Sequence, residues 1–359
     1  MNIAVVCVDC LRSDFVQEDF AETPFVDSLI DNNLLFSDMY STTTTTTPAV
    51  ASYMTGLYSE HNGVNSLQSV ELRDDLCTLA EKFSEAGYTT HGEVTGPISE
   101  ETGLDRGFDV YNYRDKDQGL FTEWGNQIHN TVANLEEPFF FYLHLWELHD
   151  PISVPNGFNS TKYGSTSYAR MFSALDRELE KLVQSLPEDT TLCLLGDHGE
   201  SITYRDSRFR RSLKLVRDNL RYRFGLDTRP VERMINRLAP ENRMRDHFIE
   251  IGHGENFFDF TSNVPFLIAN DKVEHLTVSE QVRQIDIYPT ILDLAGIPID
   301  EDLDSETLLP PRDLSSRSAY LRACGESLYG EESWARGIRA NGLKYIEYPN
   351  RDWEPELYD

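Results

Sequence analysis

The sequence predicts an α/β fold with a mostly parallel central sheet sandwiched by helices. Three observations carry this. Short, continuous apolar runs rich in β-branched or aromatic residues recur at 2–8, 138–143, 190–195 and 265–269, the pattern of strands buried on both faces. Amphipathic stretches separate them, as crossover helices do. Two of the runs end on acidic residues, Asp9 and Asp197, at strand C-terminal ends, where open α/β sheets bind ligands.

Taken in order, run 2–8 leads into Asp9, and Thr23-Pro24 opens a helix with Phe25, Leu29 and Ile30 inward. Thr42 to Thr47 form a hydroxyl-rich turn before a helix ending near Gly56. Thr47 suits the cap there and Pro48 the first helical position. A hydroxyl at that point faces free N–H groups at the positive end of a helix dipole, a ready site for a tetrahedral anion. A helix around Leu76, Leu79 and Phe83 stops at Gly87, and a strand follows over 88–94. Run 138–143 leads into His144, Glu147, His149 and Asp150. Phe172, Leu175, Leu179 and Leu182 mark one helix face, and run 190–195 ends in Gly196-Asp197-His198-Gly199-Glu200.

Residues 202–250 break this alternation. They hold 13 of the 32 Lys/Arg but only 7 of the 61 Asp/Glu. Phe209, Leu213, Val216, Leu220 and Phe224 fall at helical spacing, and a second short helix over 231–238 ends before Pro240. The segment reads as a helical insertion that leaves after Glu200-Ser201 and returns at Gly252-His253-Gly254. Strand 265–269, a helix over 284–296, an acidic linker over 299–317 and a small C-terminal sheet complete the chain.

A chain of 359 residues with 40% hydrophobic residues can bury a large core. Its net charge of −29 fits an acidic proteome in a salt-rich interior, where screening weakens self-repulsion. The same charge argues against general nucleic-acid binding, which needs a basic face. Five cysteines (Cys7, Cys10, Cys77, Cys193 and Cys324), odd in number and widely spaced, argue against a disulfide framework. Cys7 and Cys10 form a C-x-x-C in which Cys7 reads as core and a redox pair is the lesser reading. No signal peptide precedes the first strand, and no apolar run approaches the ~18 residues of a membrane span. The expected location is cytoplasmic.

Asp9, the Asp197-His198 pair and His253 all fall at one edge of the sheet. Carboxylate, imidazole and hydroxyl together suit a divalent cation: Mn²⁺, Mg²⁺, Ca²⁺ or Zn²⁺. Such an ion would lower the hydroxyl pKa of Thr46 and hold charge that builds on a transferred group.

With these residues in view, the chain resembles the sulfatase family of the alkaline phosphatase superfamily. The likeness rests on Val8-Asp9-Cys10-Leu11-Arg12-Ser13-Asp14, Thr23-Pro24-Phe25-Val26-Asp27, Thr46-Thr47-Pro48 through Gly56-Leu57-Tyr58, and Arg106-Gly107-Phe108-Asp109. It continues through His149-Asp150-Pro151, Gly196-Asp197-His198-Gly199-Glu200, Val264-Pro265-Phe266-Leu267, Asp286-Ile287-Tyr288-Pro289-Thr290 and Glu356-Leu357-Tyr358-Asp359. The resemblance implies an alkaline phosphatase-like catalytic domain over 1–315, carrying the insertion, and a small C-terminal subdomain over 316–359. More chain usually follows the family's final motif, so the natural protein either ends here or continues. By the same resemblance Asp9, Asp197, His198 and Thr46 hold metal and Thr46 is the nucleophile. His149 and His253 contact the bound anion, and His149 protonates the leaving oxygen.

The departures from the family pattern are equally informative. Thr46 stands where sulfatases carry the Cys or Ser that becomes formylglycine, which threonine cannot form. Val50 replaces the following Arg, Cys10 replaces the second Asp of an Asp-Asp pair, and no Lys-x-His surrounds His91. Threonine nucleophiles mark the phosphodiesterase, phosphomutase and phosphoglycerol-transferase branches. The expected activity is therefore metal-dependent transfer or hydrolysis of a small anionic ester or a sulfated or phosphorylated glycan, with phosphate favoured. Two other readings are a sulfatase working without formylglycine and an inactive binder of anionic glycans or lipid head groups. Within the insertion Arg208, Arg210, Arg211 and Arg217 read either as a lid meeting the anion or as a basic hairpin docked on the protein's own acidic surface, with Arg208 and Arg211 the expected substrate contacts.

Overall fold

The computed structural model describes residues 1–67, 71–202, 207–239, 244, 246–270, 272–299, 302–310, 314, 317–324 and 335–359. Each apolar run becomes a strand. β1 (Asn2–Val8) is buried throughout and pairs in parallel with β5 (Phe139–Leu145) on one side and β6 (Thr190–Gly196) on the other. Among the described residues nine strands make this sheet. Its order is β4 (Val110–Tyr113), β3 (Thr89–Val94), β5, β1, β6, β7 (Asn263–Ala269), β2 (Leu34–Tyr40) and β8 (Leu276–Val278), with β9 (Val282–Arg283) also on β2. Only β7 runs antiparallel to its neighbours.

Alternate side chains of one strand serve opposite faces. Ile3, Val5 and Cys7 join Phe140 and Tyr142 in one core layer, covered by helices Thr46–Thr55, Leu79–Glu85 and Ile287–Ala295. Ala4, Val6 and Val8 join Phe139, Phe141 and Leu143 in the other, under helices Glu123–Ala133 and Ser167–Ser185. Both faces are thus dry, which is why the runs show no alternation. The register then sets the site. Val8 lies opposite Leu145 and Gly196, so the chain leaves β1 and β6 side by side at Asp9 and Asp197.

A second, antiparallel sheet contains β10 (Ala319–Ala323), β11 (Ala335–Ala340), β12 (Leu343–Glu347) and β13 (Glu356–Tyr358). Leu321, Ala323 and Ile346 pack with Tyr40 and Phe257, and Arg322 N–H donates to Thr42 O at 2.9 Å, docking β10 on the threonine turn. The expected boundary between residues 315 and 316 lies outside the described residues, as does Pro240.

The insertion is pinched at its base by an antiparallel bridge between Ser201 and Gly252. It contains helices Arg208–Asp218 and Arg229–Leu238. Phe209, Val216, Leu220 and Phe224 are exposed, while Arg210, Arg217 and Arg221 are buried. Arg217 pairs with Glu250, Asp218 and Glu255, so the guanidinium face, not the apolar one, packs inward. Among the described residues no helix is long and apolar enough to cross a membrane. All five cysteines are free thiols.

Candidate active site

The helix after the threonine turn begins at Thr46 with Thr45 at its cap, two positions earlier than expected. Thr47 does not cap; its hydroxyl donates to Pro97 O at 2.6 Å. Thr44 donates to Asn256 O at 2.9 Å. Thr46 turns the other way. Its Oγ1 lies 3.2 Å from Asp9 Oδ2 and 3.2 Å from His198 Nε2, beside first-turn N–H groups that have no intrahelical partner.

His198 is oriented from behind. Its Nδ1–H donates to Gly199 O at 3.0 Å, which leaves the Nε2 lone pair facing Thr46. Asp197 Oδ1 accepts the N–H groups of Cys10 (3.0 Å) and His198 (2.8 Å). Its Oδ2 is buried with no hydrogen-bond partner among the described residues, 3.4 Å from His198 Nε2. Burial, then the facing charge of Asp197, pushes the Asp9 carboxyl well above the usual range. Burial, then Asp9, Glu200 and Asp197, does the same to the Cys10 thiol. Adjacent buried carboxylates are costly without a compensating charge, and a cation between them removes that cost. The donor sets fit one: Asp9, Cys10 and His198, or Asp9, His144 and Asp197, each offer ligand atoms within 4.8 Å of one another.

Two further histidines stand at the rim. His253 Nδ1 meets Glu200 Oε2 at 3.1 Å, and its ring centroid is 4.3 Å from that of His198 and 5.3 Å from that of His149. His149 stacks on Trp146 at 3.9 Å and bonds Asp150 O through Nδ1 at 2.7 Å. Burial opposes charge on His253, but Glu200 overcomes it and holds the ring above its ordinary value. Burial and His253 push His149 down to about 3. Glu200 therefore favours the charged form of His253, while His149, to which the sequence reading gives the acid's part, is pushed the other way.

The arginines of the insertion divide. Buried Arg210 bonds Phe248 O at 2.6 Å, and Arg217 sits in its carboxylate cage; both are tied inside the protein instead of reaching for a ligand. Arg211 is exposed and lies 3.7 Å from Asp150, next in sequence to His149. Arg208 is exposed at the start of its helix.

Three site residues escaped the sequence reading. Glu200 was seen only as part of a motif, although it charges His253. Arg12 is 1% exposed and braces the site by donating to Glu200 O (2.9 Å), Asp246 (2.5 Å), Met244 O (2.7 Å) and Asp14 (2.6 Å). A charged Arg so soon after a buried strand was the available signal. Gln284 donates to Gly196 O (3.1 Å) and Asp197 O (2.7 Å), and nothing local to its sequence marks it.

The family model described as Sulfatase matches residues 2–297. YidJ, an uncharacterized sulfatase of Escherichia coli (strain K12), is 24% identical over 343 residues, covering 80% of this chain. The chain spans 65% of the length of that relative. Among solved structures, a phosphonate monoester hydrolase of Agrobacterium radiobacter superposes with a TM-score of 0.72 at 18% identity, covering 100% of this chain and 89% of that one. A 2-O GAG sulfatase gives 0.69 at 16%, covering 100% and 84%. At such identities the structural likeness carries the fold alone.

Proposed function

The chain belongs to the sulfatase family, and from that premise we propose that it is a metal-dependent hydrolase or transferase of small anionic esters, with Thr46 as nucleophile. One observation carries the reading: Thr46 Oγ1 sits 3.2 Å from both Asp9 Oδ2 and His198 Nε2, at the start of a helix. Asp9, Asp197 and His198 would hold the cation, which when bound supplies Lewis-acid stabilisation of the negative charge on the transferred group. Thr46 Oγ1 forms the new bond to phosphorus while the P–O bond to the leaving group breaks. The threonine proton passes to Asp9 Oδ2, and the leaving oxygen takes the proton that Glu200 holds on His253. Water or an acceptor hydroxyl then takes the group from Thr46 with these roles reversed. His149 and exposed Arg211 contact the anion from the rim.

Phosphate or phosphonate esters are favoured because threonine cannot give formylglycine. The test is a panel of nitrophenyl phosphate monoester, phosphodiester, phosphonate and sulfate with each candidate metal, on the parent and on Asp197→Ala. The expected result is a preference for a phosphorus ester, and loss of both metal and turnover in the variant. Turnover of sulfate alone would make the chain a sulfatase without formylglycine. Anion binding without turnover of any ester would make it a binding protein.

A further inference from the structure

Cys10 follows Asp9 in a left-handed backbone conformation (φ 64°), which a non-glycine residue adopts at a cost. Both of its backbone groups are pinned there. Its N–H donates to Asp197 Oδ1 at 3.0 Å and its carbonyl accepts the Tyr168 hydroxyl at 2.6 Å. This twist aims Sγ into the proposed metal site, 2.7 Å from Asp9 Oδ1, 3.8 Å from His253 Nδ1 and 3.9 Å from Glu200 Oε2. Independently, Asp197 Oδ2 lies 3.4 Å from His198 Nε2, buried and without a hydrogen-bond partner among the described residues.

We propose that Cys10 is a thiolate ligand of the bound ion, completing a set with Asp9 and His198, and that the site selects a thiophilic divalent cation such as Zn²⁺ over Mg²⁺ or Ca²⁺. This rests on the metal site proposed above. Sulfur with imidazole nitrogen and carboxylate oxygen suits Zn²⁺ or Co²⁺, whereas Mg²⁺ and Ca²⁺ take oxygen ligands. The bond forms between metal and Sγ as the S–H bond breaks, and the thiol proton leaves to solvent. No change of oxidation state is involved.

The experiment strips the full chain with chelator and titrates it with Co²⁺, then Zn²⁺ and Mg²⁺, alongside Cys10→Ser and Cys10→Asp, with far-UV circular dichroism to confirm folding. The parent should develop a near-ultraviolet sulfur-to-cobalt charge-transfer band that is absent from Cys10→Ser. Cys10→Ser should bind Zn²⁺ at least about tenfold more weakly, a change no smaller than that from losing an outer partner of a ligand. It should leave Mg²⁺ binding nearly unchanged, and Cys10→Asp should shift preference toward Mg²⁺. If the parent binds Co²⁺ without the band, or the band survives in Cys10→Ser, the thiolate assignment is overturned while the metal site stands. A parent that binds none of these ions overturns both.

Discussion

Replacing Thr46 by Ala removes the one atom proposed to form the covalent bond. The side chain is 3% exposed, and the hydroxyls of Thr44 and Thr47 cannot stand in for it, since they are committed to Asn256 O and Pro97 O. Turnover should therefore fall on the order of a thousandfold or more, or about 4 kcal/mol of transition-state stabilisation. The fold loses only the 3.2 Å hydrogen bond to Asp9, worth at most about 1–3 kcal/mol if its partner is left unsatisfied. Thr46→Ser keeps the oxygen but loses the branching that fixes χ1, so it should retain a fraction of the activity. The assay is kcat/KM on the best ester of the panel, with acid-quenched mass spectrometry to locate the transferred group on the peptide containing Thr46. Full activity in Thr46→Ala would refute the covalent route. An equal loss from Thr44→Ala, whose hydroxyl points away from the strand ends, would refute the register.

The insertion arginines should separate by role. Arg217→Ala leaves buried Glu250 without its closest partner, while Glu255 keeps Lys214, and should cost about 3–5 kcal/mol in thermal or denaturant unfolding with KM unchanged. Arg211→Ala should leave stability alone and raise KM no more than about fivefold at low salt, fading at high salt because exposed charges are screened. Burial would raise the Glu250 carboxyl, but Arg217 and Arg221 draw it down to about 2. With an unfolded value of about 4.3, its contribution is present above that pH and is lost as pH falls toward 2. Melting at graded pH should show that loss, and Arg217→Ala should reduce it, since Arg221 remains. For catalysis, a protonated His253 means that kcat/KM falls as pH rises through its pKa, above the ordinary 6.5. Glu200→Gln removes the charge that holds this proton and should move the alkaline limb to lower pH; an unmoved limb would place the acid elsewhere.

The strands were legible because burial on both faces leaves continuous apolar runs, and Asp9 and Asp197 were legible because strand ends in such sheets carry ligands. The direction of β7 was not, since a buried run looks the same parallel or antiparallel. Thr42 to Thr47 offer six similar hydroxyls, and only the distant groups they face, Pro97 O for Thr47 and Asp9 and His198 for Thr46, tell them apart. The charge state of His253 depends on Glu200, 53 residues earlier, whose proximity follows from the bridge between Ser201 and Gly252. The inward face of the insertion was not legible for a related reason. Helical spacing shows that one face differs from the other but not which face turns inward. Here Glu250 and Glu255 on the returning strand of chain draw the arginines in and leave Phe209 and Val216 outside.

Val50 shows what the departure from the family pattern demands of the site. The resemblance leads to an Arg four residues after the nucleophile; instead Val50 is 1% exposed and packs in the core with Tyr53 and Met54. The helix therefore brings no cation to the anion. The site holds the buried acids Asp9, Asp197 and Glu200, and beside them the ring of His253, whose charged form Glu200 favours. An anionic ester entering that surplus of carboxylates is repelled until a divalent ion is bound, so anion and metal should bind with strong positive linkage, each raising the affinity of the other by the same factor. Calorimetric titration of chelator-treated protein with inorganic phosphate should give no measurable heat of binding, and the same titration after metal loading should give a saturable one. Equal phosphate affinity in the two states would mean that the protein's own groups neutralise the anion, and the metal would then have no part in holding it.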